Sequence, residues 1–133
     1  FQSRKRSVLL GTQSFWEGVD VKGDGLCLVI IDKLPFMSPS DPLIQARSRA
    51  LEEAGENPFT SFQIPQAILN LKQGVGRLIR GERDRGVVVL MDPRIKTKGY
   101  GKSFVSSLPA MTVCDQPGPV IEFLETIQRE RKR

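Results

Sequence analysis

The chain has 133 residues, 39% of them apolar and 26% charged, a size and balance that point to a soluble globular fold around one core rather than to a disordered or fibrous chain. No apolar run approaches the roughly 20 residues that span a bilayer, and FQSRKRSVLL lacks the long apolar stretch and cleavage site of a secretory leader, so a cytoplasmic location is expected. The net charge of +5 sits at the two ends, in Arg4, Lys5 and Arg6 and in RERKR at 129–133, which leaves the body slightly negative.

Basic ends attract phosphate through counterion release, and they serve equally well as solvated tails, so charge alone does not decide for nucleic acid. There is no histidine, and Cys27 and Cys114 lie far apart in apolar runs. A metal site is therefore not expected, and both cysteines read as small buried hydrophobes.

Taken in chain order, SVLLGT (7–12) and GLCLVIID (25–32) read as strands whose near-continuous hydrophobicity suits burial on both faces. DPLIQARSRALEEAG (41–55) reads as a helix with Asp41 as N-cap, Pro42 in its first turn and Gly55 as its stop. IPQAILNLKQGVGRLIR (64–80) is a second helix with Gly81 just past its end. GVVVLMD (86–92) is a third strand, followed by a loop at Pro93 and a short helix within GYGKSFVSSLP closed by Pro109. AMTVC (110–114) reads as a short strand. PGPVIEFLETIQRERKR is a final helix burying Val120, Ile121, Leu124 and Ile127.

Strands separated by helices imply right-handed crossovers and a mainly parallel sheet covered on both faces, the three-layer α/β class. Ligands in that class sit beyond the carboxyl ends of the strands. This puts GTQSFWEGVD, DKLPF and MDPRIKTKGYGK on the functional edge.

Within the second helix, Gly74 and Gly76 each cost about 1 kcal/mol relative to alanine. On a helix through residue 80, Gln73, Arg77 and Arg80 would share one face. Two forked guanidiniums and an amide in a row suit an anion, and glycines beside them would let a nucleotide or another backbone come close. The same arginines also suit a solvated basic helix end favoured by the macrodipole. Spacing leaves both readings open.

GTQSFWEGVDVKG (11–23) offers Thr12 and Ser14 hydroxyls to phosphate and Asp20 to a ribose, while Phe15 and Trp16 suit a covering over the sheet edge. KGYGKS approaches the phosphate-cradling GxxxxGK[ST] pattern, but its first glycine would fall at Lys96. Lys98 and Lys102 are then surface or backbone-contacting lysines, and a free-standing nucleotide site there is the weaker alternative.

LLGTQSFWEGVDVKGDGLCLVIIDKLPF, then QAILNLKQGVGRLIRGERDRGVVVLMDPR and YGKSFVSSLP, resemble the second RecA-like motor domain of superfamily 2 DNA helicases of the DinG and XPD type. The resemblance implies a RecA-like, P-loop NTPase-type fold over 1–133 as one domain. It implies a fragment lacking the opening strand and helix ahead of Phe1, and a 5′ to 3′ enzyme of DNA replication or repair.

By that resemblance FWEGVD is similar to helicase motif V and QGVGRLIR to motif VI. Arg80 would be the arginine finger, Arg77 its support, and Gln73 the link from hydrolysis to closure. Gly18, Asp20 and Gly76 would line the nucleotide, and Thr12, Gln13 and Ser14 would lie near single-stranded DNA. ATP and Mg2+ would be held mainly by a first RecA-like domain, which would also carry the family's iron–sulfur cluster, so this chain alone would not hydrolyse ATP. The final helix offers a second reading, a docking face for a replisome subunit such as the chi subunit of the polymerase III clamp loader.

Overall fold

The computed structural model describes residues 7–13, 26–78 and 84–130. In chain order these carry β1 (Leu28–Ile31), α1 (Pro42–Glu53), a π-helical segment Phe59–Gln63 that runs into α2 (Ile64–Gly76), β2 (Val87–Leu90), α3 (Arg94–Thr97), α4 (Gly101–Ser107) and α5 (Pro117–Glu130). They fall in two compact units, one drawn from positions up to 31, 73–89 and 110 onward, the other from 32–72 and 90–109.

In the first unit β1 and β2 pair in a two-stranded parallel sheet, with the Val87 amide donating to the Cys27 carbonyl at 2.9 Å. The long intervening chain is what parallel pairing requires. Mixed helix and parallel sheet are those of a RecA-like α/β fold. Ile31, Val75, Leu78 and Ile127 are its buried apolar residues.

Both strands are shorter than their apolar runs, and neither is fully covered: β2 is half-buried throughout and Ile30 is 57% exposed. Residues 7–12 form no strand, and Leu10 is 89% exposed. Residues 110–114 likewise form no strand, with Cys114 exposed rather than buried and Cys27 half-buried. The reason is common to all four corrections. An apolar β-branched run states that a segment tolerates burial, but not which neighbour will pair with it or cover it.

The second unit follows local rules closely. Asp41 caps α1, its carboxylate accepting from the amides of Leu43 at 2.8 Å and Ile44 at 3.4 Å, with Pro42 in the first turn. Gly55 ends that helix at φ +79°, a left-handed conformation that glycine adopts without a Cβ penalty.

α2 begins at Ile64 as expected, but the π-helical segment Phe59–Gln63 runs into it from an earlier start. Asn57 accepts from the amides of Phe59 at 2.9 Å and Thr60 at 3.4 Å, and Pro58 follows it, an N-terminal signature already legible as Asn-Pro. The π-helical turn inserted there lies outside what periodicity can report. α4 forms as expected and is closed by an extended Leu108 before Pro109. Leu34, Ile44, Ala67, Leu71 and Phe104 are the buried apolar side chains of this unit.

Candidate functional site

α2 ends at Gly76, four residues earlier than the sequence pattern suggests. The Arg77 amide donates to Gly74 at 3.3 Å and the Leu78 amide to Val75 at 2.9 Å, so the chain leaves the helix through a tightened i to i+3 turn. Strict α-helical stacking of Gln73 under Arg77 therefore does not continue through this point. Two closely spaced glycines lower helix propensity here, which accounts for the early stop.

Around that end Gln73 is exposed, Gly74 and Val75 are buried, Gly76 is exposed, Arg77 is half-buried and engaged in an interaction of its own, and Leu78 is buried. A Cβ built on Gly76 would meet no atom within 4 Å among the described residues, and its φ is not positive. Neither packing nor backbone conformation there demands glycine.

Gln73, Gly76 and Arg77 thus share one helix terminus. Thr12 and Gln13 are exposed members of the same compact unit. Ser14, Gly18, Asp20 and Arg80 lie outside the described residues.

On α5, Ile127 is buried and Val120 and Leu124 are half-buried, as the apolar periodicity requires, but Ile121 is 55% exposed. That corrects its placement on the buried stripe, since Val120 and Leu124 already fill the face one turn apart. The far end of α5 is held by a two-pronged ion pair, Arg85 Nη1 donating to the Glu130 carboxylate at 3.0 and 3.1 Å.

The second unit holds a constellation that sequence reading missed. Asp92 follows β2 and is buried; its Oδ2 accepts from the Leu34 amide at 2.8 Å, and its Oδ1 from the Arg94 amide at 3.0 Å. The Arg94 guanidinium adds two prongs, Nε at 3.0 Å and Nη2 at 2.6 Å. Those side-chain hydrogen bonds, with the two backbone amides, hold the Asp92 carboxyl far below the ordinary carboxylate range against the opposing effect of burial. The same pairing raises Arg94.

The carboxylate thus pins the stretch after β1 to the stretch after β2. Asn70 of α2 holds the next residue, its Nδ2 donating to the Pro35 carbonyl at 3.3 Å. The Asp-Pro-Arg string was the available signal, an Asx-type turn former at a strand end.

KGYGKS does not form a phosphate cradle. The Gly101 amide donates to Lys98 and the Ser103 amide to Tyr100, each at 3.0 Å, so those donors are used within the chain. Gly101 is buried against the backbone of Ile95, where a Cβ would collide with the carbonyl. The glycine serves a close approach between α3 and α4.

A parallel α/β chain with QGVGRLIR at the end of a helix and FWEGVD beyond an apolar run has the features of a RecA-like motor domain. The chain belongs to the helicase C-terminal domain family, whose model matches residues 1–111. It is 51% identical over 125 residues to ATP-dependent DNA helicase YoaA of Haemophilus influenzae, covering 94% of this chain and 20% of that protein. It is 55% identical over 109 residues to the Escherichia coli protein of the same name, covering 82% and 17%. Against the Bacillus subtilis 3′-5′ exonuclease DinG it is 43% identical over 122 residues, 92% of this chain and 13% of that one. The resemblance to DinG-type helicases, and among bacterial members to YoaA, is borne out. The chain spans a fifth or less of the length of these relatives.

Proposed function

We propose that this chain acts as the C-terminal motor domain of an ATP-dependent DNA helicase of replication or repair, translocating 5′ to 3′ in the cytoplasm. Its part in the reaction is to complete an ATP site held mainly by a first RecA-like domain. Arg80 acts as the arginine finger, placing positive charge where negative charge develops on the transferred phosphoryl group, and Arg77 supports it. Gln73 links hydrolysis to closure of the two domains. Gly18, Asp20 and Gly76 line the nucleotide, and Thr12, Gln13 and Ser14 lie along single-stranded DNA.

ATP with Mg2+ supplies the driving force when bound. The forked donors of this helix end fit phosphate oxygens. In this reading the first domain holds most of the cation's ligands and the parent protein's iron–sulfur cluster.

The observation that supports this reading best is that, among the described residues, nothing lies within 4 Å of a Cβ built on Gly76. A helix-terminal glycine that no described residue crowds suits a surface that something else approaches. In the complete helicase, Arg80→Ala should abolish DNA-stimulated ATP hydrolysis while leaving the fold intact. Full activity in that variant would remove the finger assignment.

A second reading rests on the apolar face of α5, Val120, Ile121, Leu124 and Ile127, of which Ile121 is exposed. This face docks a replisome subunit, the chi subunit of the clamp loader. Unchanged capture of that subunit after deletion of 117–133 would exclude the helix as the contact.

A further inference from the structure

Four aromatic rings of the second unit form one cluster. Phe36 stacks on Phe59 at 5.7 Å between centroids and 15° between planes, Tyr100 meets Phe59 edge-on at 5.5 Å, and Phe104 lies 5.7 Å from Phe36. Phe104 is fully buried and forms the floor. Phe59, at the top, remains 37% exposed. Phe36 lies near-parallel to that ring and Tyr100 packs against it at a steep angle, and more than a third of Phe59 still meets solvent.

The ring is rigidly held from several sides. It projects from the π-helical turn, whose extra residue sets its direction independently of the α2 periodicity. Its stacking partner Phe36 is itself overlain by the Arg94 guanidinium at 5.2 Å, and that guanidinium is locked by Asp92. An ordinary core phenylalanine would be turned inward. This one is preorganised and presented.

Beside Tyr100 the chain carries one sign of charge, whereas the stretch leading into Phe59 carries Glu52, Glu53 and Glu56. Residues 93–109 contain Arg94, Lys96, Lys98 and Lys102 and no acidic residue, and Lys98 and Lys102 flank Tyr100 in sequence and are exposed. A fixed aromatic face beside basic side chains is the combination that takes bases by stacking and their phosphates by charge. An acidic peptide would match the charge but leave the ring without a partner.

We propose that Phe59, supported by Phe36 and Tyr100 and flanked by Lys98 and Lys102, is a stacking platform for a single-stranded polynucleotide, distinct from the Thr12–Ser14 stretch. The proposal deepens the helicase reading and rests on it for the identity of the strand. Phe59 carries the base, and the two lysines carry the phosphates on either side.

The test is fluorescence anisotropy of labelled dT20 with the 133-residue chain, using Phe59→Leu, Phe59→Trp and the double variant K98Q/K102Q, each checked for folding by circular dichroism. Phe59→Leu should weaken binding roughly tenfold and Phe59→Trp should retain it. K98Q/K102Q should lower the slope of log affinity against log salt by about 1.4. An abasic chain of equal length should bind the native chain no better than dT20 binds Phe59→Leu.

Four results would overturn the platform: native affinity in Phe59→Leu, equal affinity for the abasic chain, equal displacement by poly-glutamate, or no binding of dT20 at all. The first three leave the helicase reading untouched, which stands or falls on the Arg80→Ala hydrolysis measurement, and the fourth would count against the Thr12–Ser14 contact as well. A photocrosslink from bromodeoxyuridine gives an independent readout. Attachment at Phe36, Phe59 or Tyr100 supports the platform, and attachment confined to residues 7–13 counts against it.

Discussion

The carboxylate of Asp92 receives the amide of Leu34 across 58 positions of sequence, at 2.8 Å, and with it fixes the loop that presents Pro35 and Phe36. Because Asp92 is buried and its remaining lone pairs go to Arg94, this one side chain ties the segment after β1 to the segment after β2.

Asp92→Asn keeps the shape but removes the charge that Arg94 and two amides address. It should destabilise the chain by about 2 kcal/mol, moderated by the solvent access of Arg94, which is 38% exposed. Urea unfolding measures this, and an unchanged midpoint would contradict the latch.

The same group sets an acid dependence. In the folded chain Asp92 titrates far below its usual range, whereas in the unfolded chain it titrates near about 3.9. The unfolded state therefore binds the proton more readily, so the stabilisation is complete at neutral pH and is lost as pH falls from roughly 5 downward. Native protein should lose stability on acidification more steeply than Asp92→Asn. Parallel curves would show that some other carboxylate governs the acid limb.

Gly76→Ala should separate stability from activity. With nothing among the described residues within 4 Å of the added methyl group, the substitution should stabilise the isolated chain by up to about 1 kcal/mol. If Gly76 lines the nucleotide as proposed, the same substitution in the complete protein should slow ATP hydrolysis. A variant both more stable and fully active would empty that glycine of functional meaning.

Legibility in the sequence followed the range of each interaction. Asp41, Pro42 and Gly55 bounded α1 because capping and left-handed turns act within a few residues. Asn57 and Pro58 carry a start signal just as local, but the stronger apolar period from Ile64 overshadows it. Asp92 was illegible as a latch, since its partner Leu34 is set by tertiary approach and offers only a backbone amide. Residues 7–12 and 110–114 read as strands because hydrophobicity reports demand for burial without naming a neighbour. Of the candidate site, Gln73, Gly76 and Arg77 do gather at one helix end, but the tightened turn that separates them was hidden by the glycines' ambiguity between spacing and termination.

Gly101→Ala forces a methyl group into the Ile95 carbonyl, a backbone atom that cannot swing aside. A loss of roughly 3 kcal/mol is expected, near the upper end for overpacking. Thermal unfolding measures it. A melting temperature within a degree of the native value would mean that α3 and α4 separate without cost.

The Arg85–Glu130 pair, by contrast, should contribute little. Both side chains are more than half exposed, and Glu130→Gln should change stability by no more than about 0.5 kcal/mol, with that small effect vanishing in 1 M salt.

The tight corner at Gly101 also speaks to evolutionary accessibility. A pattern search sees a string one substitution short of a nucleotide loop, yet inserting glycine at Lys96 would leave the amides of 101 and 103 still spoken for. To gain a cradle, a lineage would have to dissolve the corner between two short helices and lose its packing before any phosphate could repay it. Similar letters here mark a structural dead end for that innovation.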